Sequence, residues 1–138
     1  VNSRKKGNIS VKIATIFLFE SGYSVAKVEN DSRWIQQDSD RDLFGIADLV
    51  ATPFRDELPE NLFVQITTNR CKNQQWREKT KRFTAKHKKF TVAEIVIMIN
   101  PRLAIRTRNW KQGKTPLTWE TYDWPDKAVH LFGRPFKR

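Results

Sequence analysis

A lone cysteine, Cys71, rules out an internal disulfide and a cysteine zinc cluster, so the core has to be packed from apolar side chains. The chain has two histidines, His87 and His130, and neither has a second histidine at ligand spacing, which argues against a zinc site. With five glycines in 138 residues there is no Gly-rich phosphate loop, and the serines stand in no nucleophile elbow. No apolar run approaches the roughly 20 residues of a membrane span, and the polar start has no signal-peptide core. The expectation is therefore a soluble, cytoplasmic protein with no membrane partner. Acids are also scarce. Fifteen Asp and Glu face 26 Lys and Arg, giving +11 and a pI near 10.1 with a mean hydropathy of −0.66. That imbalance points to a polyanion, nucleic acid first, rather than a neutral small molecule. What is present suffices for a core, with 38% apolar residues and 12% aromatics, and the length suits one domain over residues 1–138.

Ile9, Ile13, Ile16 and Phe17 recur at helical spacing and Gly22 stops the pattern, which predicts a helix over about 8–21. A short strand follows over 23–29, then a polar loop over 30–41. Residues 43–51 and 62–68 read as two strands, joined as an antiparallel hairpin through Pro53 and Pro59. Between residues 69 and 89, nine lysines and arginines stand against one acid, Glu78. Lys72, Trp76, Lys79 and Phe83 fall at helical intervals there, so Trp76 and Phe83 are expected on the sheet with the cations outward. Residues 92–99 form an apolar strand ended by Asn100-Pro101, and strands are expected over 103–108 and 117–124 before a Pro-spaced tail. The order α-β-β-β-α-β with a β-rich end is a mixed α/β sheet.

Asp48 and Gln65 each interrupt an apolar strand, and burying such a group unpaired costs on the order of 1–3 kcal/mol. A hairpin could bring their oxygens together. Thr67 shares the face of Gln65, and Asp42 lies an even offset before Asp48. One or two carboxylates, an amide oxygen and a backbone carbonyl make a hard-oxygen set suited to magnesium. The alternative is structural, with Asp48 capping a turn while Gln65 and Thr67 bond each other.

Lys6-Gly7, an apolar helix ending at Gly22-Tyr23, then Asp42-Leu-Phe-Gly-Ile-Ala-Asp48-Leu-Val-Ala51 and Phe63-Val-Gln65-Ile-Thr67 resemble the PD-(D/E)XK nuclease superfamily, with its restriction-endonuclease-like fold. Within it the layout is most similar to archaeal-type Holliday junction resolvases and related small phage-type proteins. The likeness spans about residues 4–99. It implies that Asp48 is the first metal-binding acid, that Gln65 replaces the second and that Thr67 replaces the motif lysine. Two departures stand out. The resolvases carry a metal-binding glutamate in the first helix where this chain has Val11, and Glu20 lies half a helical turn away from that face. The second is Gln-x-Thr in place of acid-x-lysine, which implies weaker metal binding. Related nucleases move the lysine to the following helix, where Lys72, Arg77 and Lys79 are the candidates.

Together these readings give a metal-dependent endonuclease acting on branched or structured DNA. Asp48, Gln65 and the Ile66 carbonyl would hold Mg2+ or Mn2+ with help from Asp42. Thr67, Lys72 and Lys79 complete the catalytic set. Arg70, Lys72, Arg77, Lys79, Lys81 and Arg82, with Arg106, Arg108 and Lys111 beside Trp110, are the expected phosphate contacts. A homodimer is left open. The alternatives are a DNA-binding module with a decayed site and a structural RNA-binding protein.

Overall fold

The computed structural model describes residues 3–27, 46–55 and 60–132. Helix α1 (Ser3–Glu20) starts earlier than the periodicity suggests and ends where Ser21 and Gly22 donate back to Phe17 and Phe19, with Gly22 at φ 105°. Strand β1 (Tyr23–Lys27) is followed by β2 (Leu49–Pro53), β3 (Leu62–Thr68), α2 (Gln74–Lys86), β4 (Thr91–Met98), β5 (Ala104–Trp110), β6 (Glu120–Asp123) and α3 (Asp126–Phe132). The expected α-β-β-β-α-β order is present, and the β-rich end adds β5 and β6.

The six strands of the described residues form one sheet in chain order. Neighbours pair antiparallel except β3 and β4, which run parallel because α2 carries the chain back between them. Ile13, Ala14 and Leu18 of α1 and Ala128 of α3 cover one face, over Val64, Ile66, Ile95, Ile97 and Ile105. Trp76 covers the other face from α2, packed with Ile46, Ala47, Val92 and Trp110. Residues two apart on a strand share a face. Gln65, Thr67 and Glu94 therefore lie on the α2 side, opposite to Val64, Ile66 and Ile95.

Four expectations are corrected. The strand placed over 43–51 starts at Leu49 and runs to Pro53, so Asp48 precedes it; residues 43–45 lie outside the described residues, as do 28–41. Helix α2 starts at Gln74 because Asn73 caps it, its side chain accepting the Trp76 N–H at 3.0 Å. Lys72 thus lies before the helix and has no helical phase with Lys79. The strand expected over 117–124 shrinks to β6, leaving Leu117 exposed and Trp124 buried, its indole N–H directed at the carbonyls of Met98 and Ala104. Finally, part of the tail is helical: α3 starts just after Pro125, whose carbonyl accepts from Ala128 and Val129.

Two turns fix the ends of α2. Asn69, at φ 62°, leaves β3 and accepts the backbone N–H groups of Ile99 and Asn100 at the end of β4. Gly113, at φ 74°, brings the β5–β6 connection so close that a Cβ there would sit 2.7 Å from that of Ala85, and its N–H donates to Thr84 Oγ1.

Candidate functional site

Asp48 donates its N–H to the Val64 carbonyl at 2.8 Å, which continues the β2–β3 ladder and sets Asp48 opposite Gln65. Gln65 stands opposite Glu94 on β4, and Glu94 opposite Arg108 on β5. Four polar side chains therefore form a row across four adjacent chain segments, under α2. Gln65 is 5% exposed and Glu94 fully buried, so each polar atom needs a partner or a ligand.

Asp48 Oδ2 accepts from Gln65 Nε2 at 2.9 Å and from the Ile66 N–H at 3.2 Å, while Gln65 Nε2 also leans on the Ile66 carbonyl at 3.4 Å. One amide NH2 thus lies between a carboxylate oxygen and a carbonyl oxygen. The opposite end of the amide, Gln65 Oε1, is buried without a hydrogen-bond partner among the described residues, and so is Thr67 Oγ1. The alternative in which Gln65 and Thr67 bond each other is not what the structure shows. A half-turn of the Gln65 amide would bring its Oε1 beside Asp48 Oδ2 and the Ile66 carbonyl, putting three oxygens together. Carboxylate, amide and carbonyl oxygens are the donor types a hard divalent ion takes, so the set fits such an ion. One carboxylate among two neutral donors makes the fit a weak one. Among the described residues no three of His, Cys, Asp and Glu gather as a metal cluster, and Asp42 lies outside them.

Glu94 also belongs to this row, although the sequence analysis does not single it out. Its Oε1 accepts from Arg108 Nε at 2.8 Å and Trp110 Nε1 at 3.0 Å, and its Oε2 accepts the Lys72 N–H at 3.1 Å. The carboxylate anchors both the segment entering α2 and the guanidinium closing the row. The signal was available, since Glu94 interrupts the apolar run over 92–99 as Asp48 and Gln65 interrupt theirs.

The remaining candidates distribute around this row. Lys72 is half-buried next to it through its backbone bond to Glu94. Trp76 donates its indole N–H to the Ile46 carbonyl at 3.1 Å, two residues before Asp48, and half-buried Lys79 follows one turn along that side of α2. Arg77 and Lys81 lie toward β5, in a cleft shared with Arg108, while Arg70 and Arg82 are exposed. Arg106 and Arg108 both stack on Trp119, 4.8 and 4.1 Å from the ring centre. Lys111 is paired with Glu60 at 2.9 Å. Val11 packs against the α1 core and Glu20 is exposed near the other end of α1, so neither adds a carboxylate to the row.

No family model matches the chain, and no curated protein matches it. Its fold is similar to a solved structure of Hjc, a Holliday junction resolvase from the archaeal hyperthermophile Archaeoglobus fulgidus. The two share 13% identity with a TM-score of 0.49, over 91% of this chain and 88% of that one. What the site can do follows from its own residues.

Proposed function

We propose that this chain is a divalent-metal-dependent endonuclease, and that DNA is its substrate. The observation that carries the reading is the convergence of Asp48 Oδ2 and the Ile66 carbonyl on the Gln65 amide, on a buried row flanked by cations. Asp48, Gln65 and Ile66 would hold Mg2+ or Mn2+. When bound, such an ion polarises a phosphoryl oxygen and lowers the pKa of an attacking water.

The chain's own groups do the rest. Thr67 offers a hydroxyl on the face of Gln65, able to donate to a water or a phosphate oxygen but not to serve as a base at neutral pH. Lys79, on the side of α2 facing the start of β2, neutralises charge developing on the phosphate, and Lys72 supports it from the segment before the helix. The nearly acid-free run over 69–89 supplies the long-range attraction for the backbone. Junction-resolvase-like spacing in the sequence makes branched or structured DNA the first substrate to try. On this reading residues 1–138 form one nuclease-like domain, working inside the cell, with a homodimer left to be tested.

A second reading rests on the same bond. The Gln65 amide also neutralises the polar demand of Asp48, which suits a DNA-binding module without turnover. A cleavage screen on duplex, single-stranded, flap and four-way DNA with Mg2+ and Mn2+ separates the two. The nuclease reading expects divalent-dependent cutting of at least one structure; binding without any cutting, by folded protein, contradicts it.

A further inference from the structure

Between α2 and β5 lies a cleft of about 250 Å³, walled by Gln74, Arg77 and Lys81 of the helix and by Arg108, Trp110 and Thr115 on the sheet side. Glu78 also lines it, and accepts a bond from Gln74 at 3.2 Å. Three cationic side chains thus share one small cleft. Arg77 Nε is buried and among the described residues has no hydrogen-bond partner, an arrangement that costs free energy until an anion accepts from it.

Arg108 is held from two sides. Glu94 accepts from its Nε at 2.8 Å, and its guanidinium lies 4.1 Å from the centre of the Trp119 ring. Trp119 continues the β5–β6 register one pair beyond Thr107 and Glu120, which puts it opposite Arg108 at the end of the row. Arg106 stacks on the same indole, and among the described residues no acid pairs with it. A guanidinium fixed in plane before binding loses less conformational entropy when it meets a phosphate. Trp119 therefore braces the guanidinium groups of both Arg106 and Arg108.

We propose that this cleft is a phosphate-binding subsite, formed by Arg77, Lys81 and Arg108 and braced by Trp119. Arg108 and Asp48 are three strand spacings apart, roughly 14 Å at about 4.8 Å each. A phosphate in the cleft is thus not the one at Asp48 but another on the same backbone, so the substrate is gripped away from the bond that is cut. The identity of the polymer rests on the DNA reading above; the cleft itself does not depend on turnover.

The test is binding of the full chain to a labelled duplex in EDTA, followed across salt concentration, so that absence of cleavage cannot affect it. Arg77→Gln and exposed Lys81→Gln should each weaken binding several-fold and reduce the slope of log K against log salt by about 0.9. Trp119→Ala should weaken binding with the slope nearly unchanged, because no charge is lost, and Trp119→Phe should restore much of the affinity; circular dichroism confirms the fold of each. Inorganic phosphate is titrated against chloride of equal ionic strength. Displacement of the duplex from the wild type but not from Arg77→Gln would support the subsite with free phosphate as a competing source. Unchanged affinity and slope in both Arg77→Gln and Lys81→Gln would overturn the proposal.

Discussion

At Asp48 one carboxylate oxygen accepts two N–H donors, and the nearer, from Gln65, is the group a cation would displace. Replacing that amide with a carboxylate turns an attraction into a repulsion. Gln65→Glu should lower the melting temperature of the metal-free protein by several degrees, since two carboxylates would then face each other in a buried row. Magnesium should reverse the loss and bind more tightly than to the wild type, because charge at the site rises. Melting curves with and without Mg2+ check both signs; a metal-independent change would remove Gln65 from the ligand set. A polar residue inside an apolar run was enough to find Asp48 and Gln65 in the sequence. The same rule applied to Glu94, but its partners come from Lys72, Arg108 and Trp110, on segments that only the register of β4 and β5 brings together.

Helix α2 and the strands on either side of it were legible because Trp76 and Phe83 keep helical spacing while 62–68 and 92–99 are apolar enough to be sheet. The phase of its first turn was not. Asn73 takes the cap by accepting from Trp76, which leaves Lys72 outside the helix although it lies four residues before Trp76. Helix α3 was hidden because seven residues between prolines carry too little periodicity to distinguish from a turn. Strand β6 was overestimated because Leu117 looks β-prone, yet it is almost wholly exposed. The element most sensitive to a small change is the β5–β6 connection against α2. Gly113→Ala combines a left-handed backbone with a Cβ 2.7 Å from Ala85 Cβ, and should cost about 1–3 kcal/mol in urea unfolding. Because that turn borders the phosphate cleft, DNA affinity should fall with it; unchanged stability would show that the turn has room to relax.

Across the whole molecule a net charge of +11 dominates, and among the described residues two acids, Glu94 and Glu60, pin separate segments of the fold. Glu94 sits under α2, and Glu60 ties Lys111 to Thr91. The bond from Lys111, opposed by partial burial and helped by the Thr91 hydroxyl and the Lys111 charge, holds the Glu60 carboxyl below its usual pKa. A depressed carboxyl stabilises the fold above its unfolded pKa, about 4.3, and the contribution is lost as pH falls through the lower folded value. Glu60→Gln should therefore cost less than about 1 kcal/mol at pH 7, because both partners are close to half exposed, and nothing in strong acid. Urea unfolding at the two pH values checks this; an equal loss at both would mean that packing, not charge, is involved. The central claim is that Asp48 anchors a divalent ion at a phosphodiester. Its most direct test is Mg2+-dependent cleavage by the wild type and by Asp48→Asn, measured at saturating four-way DNA with binding recorded in parallel. The account predicts that the variant binds DNA as well as or better than the wild type and does not cut it. Cleavage by Asp48→Asn at the wild-type rate would contradict the account.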